Sequence, residues 1–196
     1  MPISHKNCYE VTYFLHIGIT KTGKPRYFMS KIAEGNLAES IPDGYEIFER
    51  PGGLVVIRKI PKTPILPHEL KYVQDIIATI GNKVENEWAA LYQRLGASVP
   101  VFGLERMPLR EYWQSRYEAE IRGKEIIVYE VRGGRVTPML KFRLINENTR
   151  KYCASYWYIG RTDGWRSLHS RGELRDLADE HCPSLGRDDF YDREGW

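Results

Sequence analysis

Tyr9-Glu10-Val11-Thr12-Tyr13-Phe14-Leu15-His16-Ile17-Gly18-Ile19-Thr20 alternates without a break. Tyr9, Val11, Tyr13, Leu15, Ile17 and Ile19 fall on one side, and Glu10, Thr12, Phe14, His16, Gly18 and Thr20 on the other. Successive side chains of a strand point to opposite faces, so a two-residue period predicts a half-buried β-strand. Lys21-Thr22-Gly23-Lys24-Pro25 is turn chemistry, and Arg26 to Ile32 returns as a second strand. Tyr45–Glu49 and Leu54–Ile60 flank Pro51-Gly52-Gly53 and predict another hairpin. The first sixty or so residues therefore read as a small antiparallel sheet.

The period then changes. Leu70, Val73, Ile76, Ile77 and Ile80 recur at helical spacing, with Pro67 suited to a first turn and Gly81 to a stop. Trp88, Leu91, Tyr92 and Leu95 repeat that pattern up to Gly96, and 97–108, with Pro100, Gly103 and Pro108, reads as a linker. Strand character resumes at Tyr117–Ile121, Glu125–Val131, Leu140–Leu144 and Tyr152–Ile159, a meander of about four strands separated by turn residues. A helix from about Glu173 to His181 turns Leu174, Leu177 and Ala178 inward, and Pro183 prevents its continuation.

The predicted fold class is α+β: N-terminal antiparallel β-hairpins, a central helical segment, and a C-terminal antiparallel meander closed by a helix. The divisions fall at 1–62, 63–108 and 109–196, either as separate parts or as one compact domain. A chain of 196 residues is long enough to bury a core without disulfides. Hydrophobic content of 42% beside 28% charged residues describes a globular chain rather than a disordered one. Cys8, Cys153 and Cys182 form an odd set with no paired short spacing, which argues for reduced thiols. No run reaches the ~18 apolar residues of a membrane span. With no apolar signal core near Met1, the expectation is a cytoplasmic protein with no membrane contact.

Charge is sorted along the last third. From Lys141 to Arg175 eight cations face three acids, whereas from Asp176 to Trp196 seven acids face two cations. Tyr152, Tyr156, Trp157, Tyr158 and Trp165 lie within the basic block. A second basic stretch, His16 to Ile32, holds Lys21, Lys24, Arg26 and Lys31 with Tyr27 and Phe28 and no acid. Cations neutralise phosphates and exposed rings stack on bases, so this mixture suits nucleic acid or another polyanion. Lys21, Lys24, Arg26, Lys31, Lys141, Arg143, Lys151 and Arg161 are the expected phosphate contacts, with Tyr27, Tyr156 and Trp157 as stacking candidates. The competing assignment for these rings is ordinary core packing.

Other chemistry is thinner. Gly18-Ile19-Thr20-Lys21-Thr22-Gly23-Lys24-Pro25 resembles a phosphate-binding loop in spacing only. Pro25 stands where the magnesium-binding hydroxyl belongs, and a strand follows where a helix is required. The helix pair around Gly81-Asn82 is a poor helix-turn-helix, because Glu85 and Glu87 would open its recognition helix against phosphates. A Cys153–His169 pair is conceivable, since catalytic partners need only meet in space, but Cys153 in a β-rich run reads first as a structural thiol. Acids at Asp188, Asp189 and Asp192 near His181 suggest a metal site, yet no diagnostic metal spacing occurs. No cofactor is expected. The favoured function is therefore a non-enzymatic intracellular binding module. The alternatives are a protein-interaction component using the acidic tail Asp188–Trp196, and a metal-dependent hydrolase or nuclease.

Overall fold

The alternating N-terminal stretch does become a strand, but only from Thr12. A computed structural model describes residues 1–80, 116–158, 164–187 and 190. In it, the buried side chain of Asn7 organises the chain ahead of the strand: its Oδ1 accepts the amides of Tyr9 (3.0 Å) and Val11 (2.9 Å), and its Nδ2 donates to the Gly53 carbonyl (2.7 Å). Glu10 takes a left-handed conformation at φ 65°, which ends any extended run through Tyr9. An asparagine-centred turn thus overrides the two-residue period for the first three residues.

The chain divides into two units, Met1–Lys62 and Thr63–Trp196. The first contains β1 (Ser4–Lys6), β2 (Thr12–Ile19) and β3 (Pro25–Ser30) in one antiparallel sheet, and β4 (Tyr45–Glu49) with β5 (Val55–Lys59) in another. Its buried apolar residues are Tyr13, Leu15, Ala38 and Val55. Tyr13 and Leu15 lie inward as their spacing predicts, whereas Ile19, at the strand end, is 80% exposed. The β2–β3 connection is a hairpin turn: Gly23, at φ 78°, donates to the Thr20 carbonyl, and Thr20 donates to the Lys24 carbonyl. A strand therefore follows the loop-like Gly18–Pro25 motif, and the phosphate-loop geometry is ruled out.

The second unit begins with α1, helical over 67–80. Pro67 opens it, and Glu69 folds back to accept the Leu66 amide at 2.8 Å, the reciprocal half of a capping box. Then come β6 (Arg116–Arg122), β7 (Glu125–Arg132), β8 (Arg135–Asn146), β9 (Lys151–Tyr158) and β10 (Gly164–Glu173), joined in the order β10-β9-β8-β7-β6. All four pairings are antiparallel. The helix α2 (Leu174–His181) and a short 3-10 turn (Cys182–Ser184) follow. The fold is α+β as expected, with one strand more in the meander: β10 occupies part of the basic block to which the sequence assigns no element. The predicted helix over 85–95, the linker over 97–108 and most of the acidic tail lie outside the described residues.

One face of the five-stranded sheet supplies the core. Ile126, Val128, Leu140, Phe142, Tyr152, Ala154 and Tyr156 turn to this side and pack with Val73 and Ile77 of α1 and Leu174, Leu177 and Ala178 of α2. A partly buried charge pair pins α1 to the β8–β9 turn. Arg150, itself at φ 51°, donates to Glu69 from Nε (3.0 Å) and from Nη2, to the Pro64 carbonyl (3.0 Å) and to the Tyr152 hydroxyl (3.1 Å). Burial pushes the Glu69 carboxyl up, but hydrogen bonds from Arg150 and the Leu66 amide outweigh it and hold the group below its ordinary value.

Candidate functional site

The opposite face of β8, β9 and β10 is built by alternation. In β9, Tyr152, Ala154 and Tyr156 are buried while Lys151, Cys153, Ser155 and Trp157 are not. Register then sorts the neighbouring strands into rows. Arg143 of β8 and Arg171 of β10 flank Cys153; Lys141 and Ser167 flank Ser155; Trp165 lies opposite Trp157; and Asn146 and Glu173 flank Lys151. Rows two residues apart along a strand are separated by about 7 Å, and neighbouring strands by about 5 Å. The result is a strip running from a guanidinium row through a hydroxyl row to an indole row.

The charges on this strip are unequal. The side chains of Arg143 and Arg171 are exposed and make no ion pair or hydrogen bond among the described residues. Lys141 is different: its side chain is only 15% exposed, its Nζ lies 3.3 Å from Glu125 and 4.5 Å from the centroid of the Trp165 ring. Lys151 lies 3.7 Å from Glu173 in a solvent-facing pair. The indoles of Trp157 and Trp165 meet edge to face, 5.3 Å apart at 80°. Both stay partly exposed.

Among the residues expected from sequence, Lys141, Arg143, Lys151 and Trp157 thus share one face. Tyr156 does not. It points to the core, 6% exposed, its ring edge-on to Phe190, so that ring is closed to an external base. Lys141 keeps its place on that face, with its charge beside Glu125. Arg161 lies outside the described residues. Trp165 and Arg171 belong to the strip but not to the expected set, and only the pairing of β10 with β9 brings them in.

The N-terminal unit scatters its candidates. The β2–β3 register places Arg26 opposite Gly18 and Phe28 opposite His16 on one face, and Tyr27 opposite Ile17 on the other. Arg26 lies over the Phe28 ring (6.0 Å), which itself stacks on the buried His16 (5.1 Å, 16°). Lys31 approaches the Tyr13 ring (5.7 Å), while Lys21 and Lys24 are exposed in the turn.

The catalytic and metal alternatives find little geometry. Cys153 and His169 make no hydrogen bond with each other; His169 sits at φ 57° inside an irregularity between Ser167 and Arg171. The buried His181 instead has its Nε2 2.7 Å from Ser170 Oγ, a strand-to-helix latch. Cys182 beside it is inert, its thiol pushed up to about 12 by burial and the nearby Asp179. Among the described residues no group of three or more His, Cys, Asp or Glu is placed to hold a metal ion; Asp188, Asp189 and Asp192 lie outside them. No helix among the described residues is long and apolar enough to cross a membrane. Compared with known proteins, the chain matches no family model, no curated protein and no solved structure.

Proposed function

We propose that the protein is a binding module that takes an extended polyanion, nucleic acid above all, on the outer face of β8, β9 and β10. The supporting observation is the pair Arg143 and Arg171. Two exposed guanidinium groups stand one strand either side of Cys153 and neither forms an ion pair among the described residues, although Glu125, paired with Lys141, lies opposite Arg143 in the β7–β8 register. Unpaired cations at about 10 Å across three strands attract repeated anions more than a single one. Guanidinium groups also suit phosphate and sulfate oxygens, because their donors form a planar fork. Binding alone is assigned, with no catalytic step.

Retention on heparin, followed as a function of salt, tests this. Each phosphate-like contact contributes about 0.7–0.9 to the slope of log affinity against log salt. The double variant Arg143→Gln/Arg171→Gln is therefore expected to lower the slope by about 1.5. Failure of the native chain to bind heparin or an oligonucleotide at low salt overturns the proposal.

A further inference from the structure

We infer that the strip is a platform for unpaired nucleic acid, whose sugar–phosphate chain crosses the strands along the Arg143–Cys153–Arg171 row while its bases lie over Trp157 and Trp165. The inference rests on the polyanion reading above and names its ligand. Its basis is the order of chemistry along the strands. Guanidinium groups come first, the Ser155 and Ser167 hydroxyls next and the indoles last, in successive rows of the same register. A nucleotide presents phosphate, sugar and base in that same order. The cation row answers phosphates, and the hydroxyls donate to and accept from the sugar. Indole faces take bases with little sequence preference, because every base has a π-face.

A duplex fits this surface poorly. Its bases are stacked away from any ring, and its major groove admits a helix or a two-stranded ribbon rather than the broad face of three hydrogen-bonded strands. It would use the arginines and leave the indoles idle. A sulfated sugar would do the same. In an edge-to-face pair the ring that offers its edge does not lose its faces to the other ring; Lys141 lies over Trp165, and the part of each indole that stays exposed is the surface left for a base. Lys141, 4.5 Å from the Trp165 centroid, places a cation where the charged rows meet the aromatic one.

The test compares, on the full chain, labelled oligo(dT) and oligo(U) of about ten nucleotides, a duplex of the same length, and heparin. Either single strand is expected to bind about tenfold more tightly than the duplex and to quench tryptophan fluorescence. Trp165→Leu should weaken single-strand binding about tenfold while leaving heparin affinity unchanged, and Trp165→Phe should restore most of the loss. Trp157→Leu should act in the same direction. Thermal melts of each variant separate a lost ring from a lost fold, and the phenylalanine variant keeps the test decisive if the leucine variant unfolds. If heparin binds but the duplex equals the single strand, or the indole variants change nothing, the single-strand assignment is wrong and the polyanion reading stands. If neither heparin nor any oligonucleotide binds, both fall.

Discussion

The two units use similar ingredients to different ends. In Met1–Lys62, Arg26 and Tyr27 are adjacent in sequence and therefore on opposite faces of β3, Arg26 and Lys31 each lie near a ring, and Lys21 and Lys24 stand apart in the turn. In Thr63–Trp196, Arg143, Ser155, Trp157 and Arg171 come from three strands and share one face. A basic, aromatic composition is thus not a surface. What makes one is register, with a wide sheet whose other face is already committed to helices. The N-terminal sheets, of three and two strands, offer no comparable breadth.

The contrast can be broken first at the cores. Phe142 is fully buried under α1 and α2, and Phe142→Ala should cost about 3–5 kcal/mol. Leu15→Ala in the smaller unit should cost about 2–5 kcal/mol. Hydrogen exchange read by mass spectrometry should show the first change deprotecting β7–β9 and the second deprotecting β2–β3. Equal loss everywhere from either change would mean that the units unfold as one. All five tryptophans lie beyond Lys62, so denaturant curves followed by tryptophan fluorescence report the second unit's side of this comparison.

Next is the Glu69–Arg150 pair, whose carboxylate is more buried than that of the N-terminal unit's Arg58–Glu46 (2.9 Å) or His5–Glu49 (3.4 Å) pair. Glu69 is held below its ordinary value of 4.5 in the folded chain. Its contribution is therefore present above pH 4.5, the unfolded value, and is lost as pH falls through the folded value. Glu69→Gln should cost about 2–3 kcal/mol at neutral pH, since Arg150 keeps some access to water, and should flatten the acid limb of a stability–pH curve. An unchanged acid limb would refute the assignment.

A smaller effect belongs to Gly53, at φ 80°, where an added Cβ would sit 2.6 Å from the Tyr9 ring. Gly53→Ala should destabilise the N-terminal unit by about 1–2 kcal/mol through the left-handed backbone and the displaced ring. A chemical-denaturation midpoint equal to that of the native chain would contradict this. The smallest change concerns binding: Lys21→Gln/Lys24→Gln should alter the heparin salt slope less than Arg143→Gln/Arg171→Gln does. The reverse order would move the interface to the N-terminal hairpin.

Legibility in the sequence followed the physics of each element. The β2–β3 hairpin, the β4–β5 hairpin, the start of α1 and the inward residues of α2 could be read because period and turn residues agree there. β10 could not, because three residues, Leu168 to Ser170, stand against one in β9 and destroy the alternation that announces a strand. The face of β9 was equally hidden. Its two registers, Tyr152-Ala154-Tyr156 and Lys151-Cys153-Ser155-Trp157, both carry aromatic rings, so pattern alone does not say which one is covered. Helix packing decides it and removes Tyr156 from the available rings, while the pairing of β10 with β9 adds Trp165.

The irregularity that hid β10 has another consequence. Among the described residues β10 ends the order of the five-stranded sheet, and a straight border strand is a template on which foreign chains can add. Here Leu168, His169 and Ser170 bulge out of line, His169 with a left-handed backbone. An incoming strand would lose its ladder after two or three bonds. A kink of this kind would hinder strand addition along that border.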